Sequence, residues 1–350
     1  MCNLVEQKGK RVAEQTSQPS PLLLFDTINA FQRSAIIKGA IELEVFTAIA
    51  RGNQSAKALA EACSASERGM RILCDTLTVI GFLTKDEQGY RLTQDSAIFL
   101  DKRSPGYMGG MIEFLQSPTL ANAFSDIAGA VKKGGTVVPE DGAVAPEHPM
   151  WVSFARAMMP MTTMPAQAIV GLSGTEGSKS LKVLDIAAGH GMYGITFAQK
   201  NPNARVTALD WRPVLEVAKE NARAAGVMDR FNTIEGSALE VDFGSGYDVV
   251  LVTNFLHHFG KEECNTILRK VRASLNDGGQ AIALEFVPNE DRISPPNAAM
   301  FSMVMLAGTP SGDAYTFSEL KEMFEGAGFP DVSIHDLPGG VQRVVVARAG

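Results

Sequence analysis

The spacing of apolar residues changes along the chain. From Phe25 to about Gly135, apolar positions such as Ile37 and Ile41 recur at helical intervals, closely enough to face a core on most sides. From Leu181 onward, short runs rich in β-branched residues alternate with helical stretches; the runs are KVLDIA, RVTALD, YDVVLVTN, QAIALEF and QRVVVARA. Such alternation is typical of βαβ units. The sequence therefore predicts an α/β fold, with a doubly wound and mostly parallel sheet that follows a mainly helical region.

The helical region contains the pattern of a winged helix-turn-helix. Ser55 can cap one helix, and Ser64 or Ser66 can cap the next. Short strands are predicted over Phe82–Thr84 and Tyr90–Thr93, with the turn sequence KDEQG between them. Two helices followed by this small hairpin predict a winged-helix domain.

The chain is predicted to divide into four segments. Residues 1–20 are polar and lack the apolar core of a signal peptide, so we expect a disordered leader. Residues 21–135 form the winged-helix-like dimerisation domain. Residues 136–172 begin in a stretch rich in Gly and Pro, and they are predicted to be a linker and connecting helix that contributes to a substrate pocket. Residues 173–350 are predicted to form the α/β domain with the mostly parallel sheet.

Charge and cysteine content argue against several classes of partner. The chain has 350 residues and a formal net charge of −7, and acidic residues slightly outnumber basic ones over residues 1–150. Nucleic acids and anionic membranes attract clustered Lys and Arg, so we expect neither as a partner and expect the winged-helix domain to form a homodimer. The cysteines show no metal-ligand spacing, which indicates reduced thiols in a cytoplasmic protein without a metal site; they are Cys2, Cys63, Cys74 and Cys264.

A glycine-rich loop follows the first predicted strand of the α/β region. Gly189, Gly191 and Gly194 have the G-x-G-x-x-G spacing of a nucleotide-binding turn. Asp185 ends the strand ahead of this loop, and its carboxylate would repel a diphosphate. The same carboxylate suits a ligand that carries an ammonium or sulfonium group.

A second acidic residue identifies the rest of that ligand. Asp210 ends the next predicted strand, about 20 residues beyond the loop, where a carboxylate accepts hydrogen bonds from ribose hydroxyl groups. Trp211 follows it and offers a flat apolar face to an adenine. Ribose together with a cation, without phosphates, describes S-adenosylmethionine.

Several further segments carry a family resemblance. They are VLDIAAGHGMYG, VTALDWRPVLEVAKENA, IEGSALE, NFLHHFGKEECNTILRKV, GGQAIALEFVP and TFSELKEMFEGAGF. Through them the chain, from about Phe25 to its C-terminus, resembles the S-adenosylmethionine-dependent small-molecule O-methyltransferases, the plant caffeate-type enzymes and their bacterial natural-product relatives. The resemblance implies a Rossmann-like class I methyltransferase domain with a mostly parallel seven-stranded sheet, preceded by an N-terminal winged-helix dimerisation domain.

The resemblance also assigns cofactor-binding residues. It implies that Asp185, Gly189 and Gly191 hold the methionine end of S-adenosylmethionine, and that Asp210 holds the ribose. Trp211 stays a candidate for the adenine. The resemblance further implies that Ser237 and Ala238 lie beside the adenine. Asn254, in the run YDVVLVTN, is another candidate for cofactor binding. Ser237 stands where the family usually has Asp, and Thr253 where plant members often have Lys.

The candidate catalytic residues follow two more strands. His257 and His258 come directly after YDVVLVTN, at the edge where open α/β sheets bind ligands. The resemblance implies that His257 is the general base and that Glu285 orients it, and many relatives have Asp where His258 stands. Imidazole suits a base because its reference pKa of about 6.5 leaves it largely neutral near pH 7. Plant members have a second carboxylate that orients the base, and this chain has Ala314 at that position.

An apolar pocket for the methyl acceptor is predicted from methionine and aromatic residues. The stretch MWVSFARAMMPMTTM is crowded with methionines, and Met158 matches a substrate-contacting position of the family. The other candidate substrate-binding residues are Phe154, Phe114, Met300 and Met305, with Phe301 beside them. Because few charges lie among these residues, we expect a flat, apolar acceptor with a hydroxyl group.

Other functions stay open at the level of the sequence. The same base and cofactor would serve methyl transfer to carbon or nitrogen. A winged-helix regulator that binds the cofactor without catalysis would need a basic recognition helix, whereas Arg68 and Arg71 lie beside Glu67 and Asp75. An NAD-dependent oxidoreductase is disfavoured by the carboxylate of Asp185.

Overall fold

The computed structural model describes residues 19–138, 147–175, 177–178, 180–337 and 340–350. The predicted leader lies outside the described residues, apart from its last two. The chain divides into two compact units, Met1–Tyr107 and Met108–Gly350.

The first unit is mainly helical and carries one small antiparallel sheet. Its helices are α1 (Leu22–Ile28), α2 (Ala30–Glu42), α3 (Val45–Ala50), α4 (Ala56–Ala62), α5 (Glu67–Val79) and α6 (Gln94–Phe99), and its strands are β1 (Leu83–Asp86) and β2 (Gly89–Leu92). Helices α4 and α5 followed by this hairpin are the predicted winged helix-turn-helix. The buried core of the unit includes Phe46, Leu59, Met70, Leu77 and Tyr90.

Side-chain caps begin the two helices of the winged motif. Ser55 Oγ accepts the N–H of Ala58 at 3.1 Å, and Ser66 Oγ accepts that of Gly69 at 3.1 Å, so Ser66 rather than Ser64 is the second cap. The predicted strand limits of the wing were wrong by one or two residues. The hairpin pairs Asp86 with Gly89, because the Asp86 carboxylate accepts backbone N–H groups and closes a shorter turn than KDEQG suggests.

The division between the units lies earlier than the predicted boundary at 135. Three short helices of the predicted first domain belong to the second unit: α7 (Met111–Leu115), α8 (Pro118–Ala123) and α9 (Ile127–Lys133). Helix α7 packs against α10 (Met150–Met158), and α8 and α9 pack against α15 (Pro296–Gly308). These packing partners lie far along the chain, so helical periodicity alone does not reveal them.

The second unit is built on a seven-stranded sheet in the order β5-β4-β3-β6-β7-β9-β8. The strands are β3 (Leu181–Ile186), β4 (Ala204–Asp210), β5 (Phe231–Glu235), β6 (Tyr247–Thr253), β7 (Leu275–Glu285), β8 (Asp331–Asp336) and β9 (Arg343–Arg348). The strands from β5 to β7 pair in parallel, whereas β9 is antiparallel to both of its neighbours. The mostly parallel seven-stranded sheet is confirmed. Sequence patterning found five of these strands and missed β5 and β8.

Helices cover both faces of the sheet. Their bounds are α11 (Thr163–Ser173), α12 (Met192–Lys200), α13 (Arg212–Ala224), α14 (Lys261–Ser274) and α16 (Phe317–Gly326). One buried core joins β-strand side chains to α14 and α16, and the other joins them to α11, α12 and α13. The parallel strands β3, β4, β6 and β7 end at one edge of the sheet, which brings Asp185, Asp210, Thr253 and Glu285 to that edge.

No helix among the described residues combines the length and the apolar character that a membrane crossing requires. Within the same residues, no three His, Cys, Asp or Glu side chains are grouped so that they would hold a metal ion.

Candidate active site

The glycine-rich loop joins β3 to α12 and has the backbone conformation that its glycines allow. Gly189 and Gly191 have φ angles of +57° and +73°, in the left-handed region that favours glycine. At Gly194 a Cβ atom would lie 2.6 Å from Cγ1 of Val206, so only glycine lets the first turn of α12 pack this closely on the sheet. Backbone N–H groups of the loop are thereby held close to the end of β3.

Asp185 lies beneath this loop and is fully buried. Its Oδ2 accepts the N–H of Gly194 at 3.0 Å, whereas Oδ1 is buried without a hydrogen-bond partner among the described residues. Burial raises the pKa of Asp185 to about 7, and the nearby Asp210 contributes to the rise. A buried, unpaired carboxylate oxygen is complementary to a cationic hydrogen-bond donor.

Asp210 ends β4 beside the same loop. Its Oδ2 accepts the N–H of Gly189 at 2.8 Å, and its Oδ1 accepts the N–H of Trp211 at 2.7 Å. Burial raises the pKa of Asp210 to about 6, although both backbone hydrogen bonds lower it. Each oxygen keeps a further lone pair, so the carboxylate can still accept hydrogen bonds from hydroxyl groups.

The predicted adenine-binding residues lie near the end of β4. Trp211 precedes α13 and packs, partly buried, beside Val214. The loop after β5 is tied to this strand, because Gly236 donates its N–H to the carbonyl oxygen of Asp210 at 3.1 Å. Ser237 Oγ accepts the N–H of Leu239 at 3.2 Å, and Ala238, which is buried, accepts the Lys270 ammonium at 2.6 Å through its carbonyl oxygen.

Asn254 follows β6 and links three segments of the chain. It has a φ of +53°, and its N–H donates to the carbonyl oxygen of Leu284 at 2.8 Å. Its Nδ2 donates to the hydroxyl of Tyr193 at 3.5 Å, and its Oδ1 accepts from the side chain of Gln342. Burial and the nearby Asp185 raise the pKa of Tyr193, so its hydroxyl stays protonated at neutral pH. Tyr193 therefore lies between the glycine-rich loop and Asn254.

His257 and Glu285 form a buried pair at the same edge of the sheet. They are 4% and 3% exposed, and Nδ1 of His257 is hydrogen-bonded to Oε2 of Glu285. The other carboxylate oxygen, Oε1, accepts the N–H groups of Phe255 and Leu256, each at 2.9 Å. Glu285 thus fixes both the ring of His257 and the backbone before it. An imidazole that donates from Nδ1 keeps Nε2 free to accept a proton.

The turn that carries His257 is also held from its backbone side. A Cβ atom on Gly312 would lie 2.2 Å from the carbonyl oxygen of His257 and 2.9 Å from the carbonyl carbon of His258. Ala314, the counterpart of the second orienting carboxylate, is fully buried, and the adjacent Asp313 is ion-paired with Arg292 at 3.2 Å. Close backbone packing at Gly312 therefore restrains this turn, and Asp313 does not replace the missing carboxylate.

Aromatic rings extend in a continuous series from the base to α7. The ring centroids of His257 and His258 are 4.3 Å apart, and Trp151 on α10 meets His258 at 5.2 Å. Phe154 follows at 5.6 Å from Trp151, and Phe114 at 5.2 Å from Phe154. Phe301 also meets the ring of His257, at 4.9 Å, and stacks on Phe286. The predicted residues Phe114 and Phe154 thus belong to one aromatic surface that reaches His257.

The predicted methionines are less uniformly placed. Met158 is partly buried at the end of α10, and Met305 is buried on α15. Met300, also predicted to contact the substrate, is 71% exposed, whereas Phe301 beside it contacts the ring of His257. Neighbouring residues of a helix point in different directions, so at most one of this pair can face the site.

Sequence reasoning missed two contributors to this site. Trp151 stood inside the methionine-rich stretch, and its spacing of three residues from Phe154 was the available signal that both lie on one helical face. Tyr193 stood inside the glycine-rich motif itself, but its bond to Asn254 depends on strand order and has no local signature.

Together these residues place two buried carboxylates and a buried imidazole–carboxylate pair at one sheet edge. A family model described as an O-methyltransferase domain matches residues 143–330, and one described as an O-methyltransferase dimerisation domain matches residues 25–102.

Three similar proteins extend the comparison. A solved structure from Nostoc punctiforme, described provisionally as an O-methyltransferase, is 55% identical, covers 95% of this chain and 100% of its own, and has a TM-score of 0.91. The 3-hydroxy-5-methyl-1-naphthoate 3-O-methyltransferase of Streptomyces sahachiroi is 28% identical over 321 residues, which are 89% of this chain and 90% of that protein. The L-tyrosine C(3)-methyltransferase of Streptomyces lavendulae is 29% identical over 182 residues, 51% of this chain and 48% of that protein.

Proposed function

Since the chain belongs to the O-methyltransferase family, we propose that it methylates a hydroxyl group of a small, largely apolar and aromatic metabolite, with His257 as the general base. The chain is an S-adenosylmethionine-dependent O-methyltransferase. We propose in addition which kind of acceptor it methylates and what each residue of the site does. The observation that carries it is the buried His257–Glu285 pair at the sheet edge shared with Asp185 and Asp210.

The residues present fit S-adenosylmethionine. The unpaired Oδ1 of Asp185 would accept a hydrogen bond from the ammonium group, and the remaining lone pairs of Asp210 would accept from the ribose hydroxyls. Trp211, Ser237 and Ala238 would contact the adenine. When bound, the cofactor supplies a methyl group activated by its attachment to a sulfonium.

His257 would remove the proton of the acceptor hydroxyl through Nε2. A phenol with a pKa near 10 lies about 5 kcal/mol uphill from an imidazole near 6.5, at 1.36 kcal/mol per unit, if the proton moved first. Proton removal should therefore accompany attack by the oxygen. Glu285 would hold the ring of His257 and stabilise the imidazolium that forms.

The acceptor is proposed from the aromatic surface beside the base. Trp151, Phe154 and Phe114 would contact a flat ring, and Met158 and Met305 would fill the irregular space around it. The naphthoate named for the Streptomyces sahachiroi relative is a hydroxylated aromatic compound of this kind.

Methyl transfer to carbon is the second candidate, because the Streptomyces lavendulae relative is named for C-methylation of tyrosine. The base required for a phenol would also serve a carbon acid. The linkage of the methyl group in the product, read by NMR, separates an ether from a carbon-bound methyl group.

We also propose that the protein is a homodimer assembled through the first unit. The match to a dimerisation domain over residues 25–102 supports this. So does a row of apolar side chains at the start of the unit, each at least 55% exposed: Leu22, Leu23, Leu24, Phe25, Ile28 and Phe31.

Activity is tested with methyl-labelled S-adenosylmethionine and a panel of phenols, catechols, hydroxynaphthoates and 2-oxo acids. We expect label in an ether-linked methyl group of an aromatic product. His257→Ala should lower kcat by about 10²–10⁴-fold with unchanged cofactor affinity, whereas His335→Ala, on the edge strand β8, should behave as the wild type. Absence of transfer to every acceptor, or full turnover by His257→Ala, would contradict the proposal.

A further inference from the structure

The base turn, Leu256–His258, is a single three-residue helical turn between β6 and α14. A helix of this length is not stable by itself, so groups from elsewhere in the fold must hold its backbone. Glu285 holds one side of it by accepting the N–H groups of Phe255 and Leu256. Side chains that bond to the carbonyl oxygens of the turn can hold the other side.

Two buried side chains from separate segments make such bonds. Tyr315, which precedes α16 and is 5% exposed, donates its hydroxyl proton to the carbonyl oxygen of Phe259 at 2.6 Å. Cys264, in the first turn of α14 and fully buried, donates its thiol proton to the carbonyl oxygen of Leu256 at 3.2 Å. Since His257 lies between Leu256 and Phe259 in the sequence, the backbone is held on both sides of the base.

Both donors keep their protons near neutral pH. Burial raises the pKa of Cys264 to about 12, and burial also raises the pKa of Tyr315. The phenol is the stronger donor of the two, since a thiol is a weak donor. Tyr315 also belongs to the segment whose Gly312 packs on the carbonyl oxygen of His257, so this segment meets the backbone around the base at two points.

We propose that Tyr315 is a positioning residue of the reaction: its hydroxyl group, together with the Cys264 thiol, fixes the base turn so that Nε2 of His257 meets the acceptor hydroxyl. The proposal rests on the proposed role of His257 as the general base. A misplacement of about 1 Å can lower a rate about 10²-fold, because the reacting groups must be closely aligned. Tyr315 contacts the backbone beside the base rather than the reacting groups, so its effect should appear in kcat and not in binding.

A matched pair of variants tests this role. Tyr315→Phe removes the hydroxyl group and keeps the ring. Tyr247→Phe is the control, because Tyr247 lies at the start of β6 and its hydroxyl donates to the carbonyl oxygen of Phe243 at 3.0 Å. Each variant deletes one hydrogen bond from a buried tyrosine to a phenylalanine carbonyl group, but only the bond of Tyr315 reaches the residue that follows the base turn.

The kinetic readout uses an acceptor that the wild type methylates. We expect Tyr315→Phe to lower kcat about 10–100-fold. KM for the acceptor and the calorimetric affinity for S-adenosylmethionine should change by less than about twofold, because the groups that bind them stay in place. Tyr247→Phe should turn over as the wild type does.

A spectroscopic readout is independent of turnover. The chain has five histidines, and in a sample with labelled histidine the Cε1–H signal of His257 is the one that His257→Ala removes. We expect this signal to shift in Tyr315→Phe and to stay in place in Tyr247→Phe. If Tyr315→Phe does not fold, Cys264→Ala should lower kcat about 3–10-fold, the effect of one net hydrogen bond. Cys264→Ser, whose hydroxyl can donate to Leu256, should restore it.

Several results would overturn the proposal. They are equal kcat values for Tyr315→Phe and Tyr247→Phe, an unshifted His257 signal in Tyr315→Phe, and full turnover by Cys264→Ala. A fall in cofactor affinity as large as the fall in kcat would also do so, because it would assign Tyr315 a role in stability alone. Failure of the proposed function would look different: the wild type would transfer no methyl group to any acceptor, while the His257 signal would still shift in Tyr315→Phe and support its hold on the base turn.

Discussion

Replacing Glu285 by Gln tests whether the base depends on the tautomer that its partner imposes. In the structure, Oε1 of Glu285 accepts the N–H groups of Phe255 and Leu256, and Oε2 is bonded to Nδ1 of His257. Glutamine has the same shape, and its carbonyl oxygen can keep both backbone hydrogen bonds. Its NH₂ group would then face Nδ1, which must accept instead of donate. The ring proton moves to Nε2, the atom that should receive the hydroxyl proton.

The expected loss follows from the role of a positioned base. General base catalysis contributes about 10²–10⁴-fold to the rate, which at about 1.4 kcal/mol per factor of ten is roughly 3–5.5 kcal/mol. We expect Glu285→Gln to lose most of this from kcat. Affinity for S-adenosylmethionine should change by less than about twofold, because the hydrogen bonds of Glu285 go to His257 and its turn rather than to Asp185 or Asp210.

Release of S-adenosylhomocysteine, measured at saturating concentrations of an acceptor from the panel, gives kcat, and calorimetry gives cofactor affinity. Glu290→Gln is the matched control, because Glu290 is exposed and its carboxylate accepts hydrogen bonds from Ser318 rather than from His257 or its turn. If Glu285→Gln kept a third or more of the wild-type kcat, the tautomer argument would be refuted. A fall in kcat matched by an equal fall in cofactor affinity would assign Glu285 a structural role only.

Three further predictions concern the cofactor, the base turn and the dimer. Because burial raises the folded-state pKa of Asp185 from 3.8 to about 7, the ligand-free carboxyl takes up a proton as the pH falls through 7, and S-adenosylmethionine affinity should weaken by up to about tenfold per pH unit below that value. Calorimetry should find that Asp185→Asn removes the part of this dependence above pH 6 and leaves the part below it, where Asp210, with a pKa of about 6, takes up a proton; a flat wild-type profile between pH 5.5 and 8 would disprove the prediction. Gly312→Ala should lower the free energy of unfolding by about 1–3 kcal/mol and also lower kcat, because the added Cβ would overlap the backbone of the turn that carries His257. Gly308→Ala, which has open space around the added Cβ, should change neither quantity. Denaturant titration and turnover assays measure the two effects. A Leu23→Glu, Phe31→Glu double variant should elute as a monomer with the light-scattering mass of one chain, and a retained dimer would exclude this apolar row from the interface.

How far the sequence predicted the sheet depends on where each strand lies. The five segments found by pattern are β3, β4, β6, β7 and β9, all with two neighbours in the sheet and nearly continuous apolar runs. The two missed strands, β5 and β8, are the two edges. Their sequences, FNTIE and DVSIHD, mix polar and apolar residues and are only partly buried. An edge strand is exposed along one side, so its sequence carries a weaker apolar signal.

The candidate site divides in a similar way between local and distant contacts. Asp185 bonds to Gly194, and Asp210 bonds to Gly189. The sequence predicts that these residues lie close together, because a βα turn and the end of the next strand meet in every fold of this type. The contact of His258 with Trp151, by contrast, depends on how α10 packs beside the sheet edge. Residue spacing does not encode that packing, so the aromatic surface had to be observed.

Ala314 shows why a missing side chain in a motif does not by itself predict a weaker site. The family pattern implies a second carboxylate at this position, and its absence predicts a base oriented by Glu285 alone. In the structure the same segment approaches the base through its backbone instead: Gly312 comes so close that a Cβ would lie 2.2 Å from the carbonyl oxygen of His257. Thr309 holds this segment in turn, since its Oγ1 accepts the N–H of Gly312 at 2.9 Å. Restraint by backbone contact thus stands in place of a second charged contact, and Glu285 is the one carboxylate that the described residues bring to the ring of His257. The orientation of the ring therefore depends on the Glu285 side chain and on the backbone packing at Gly312 together.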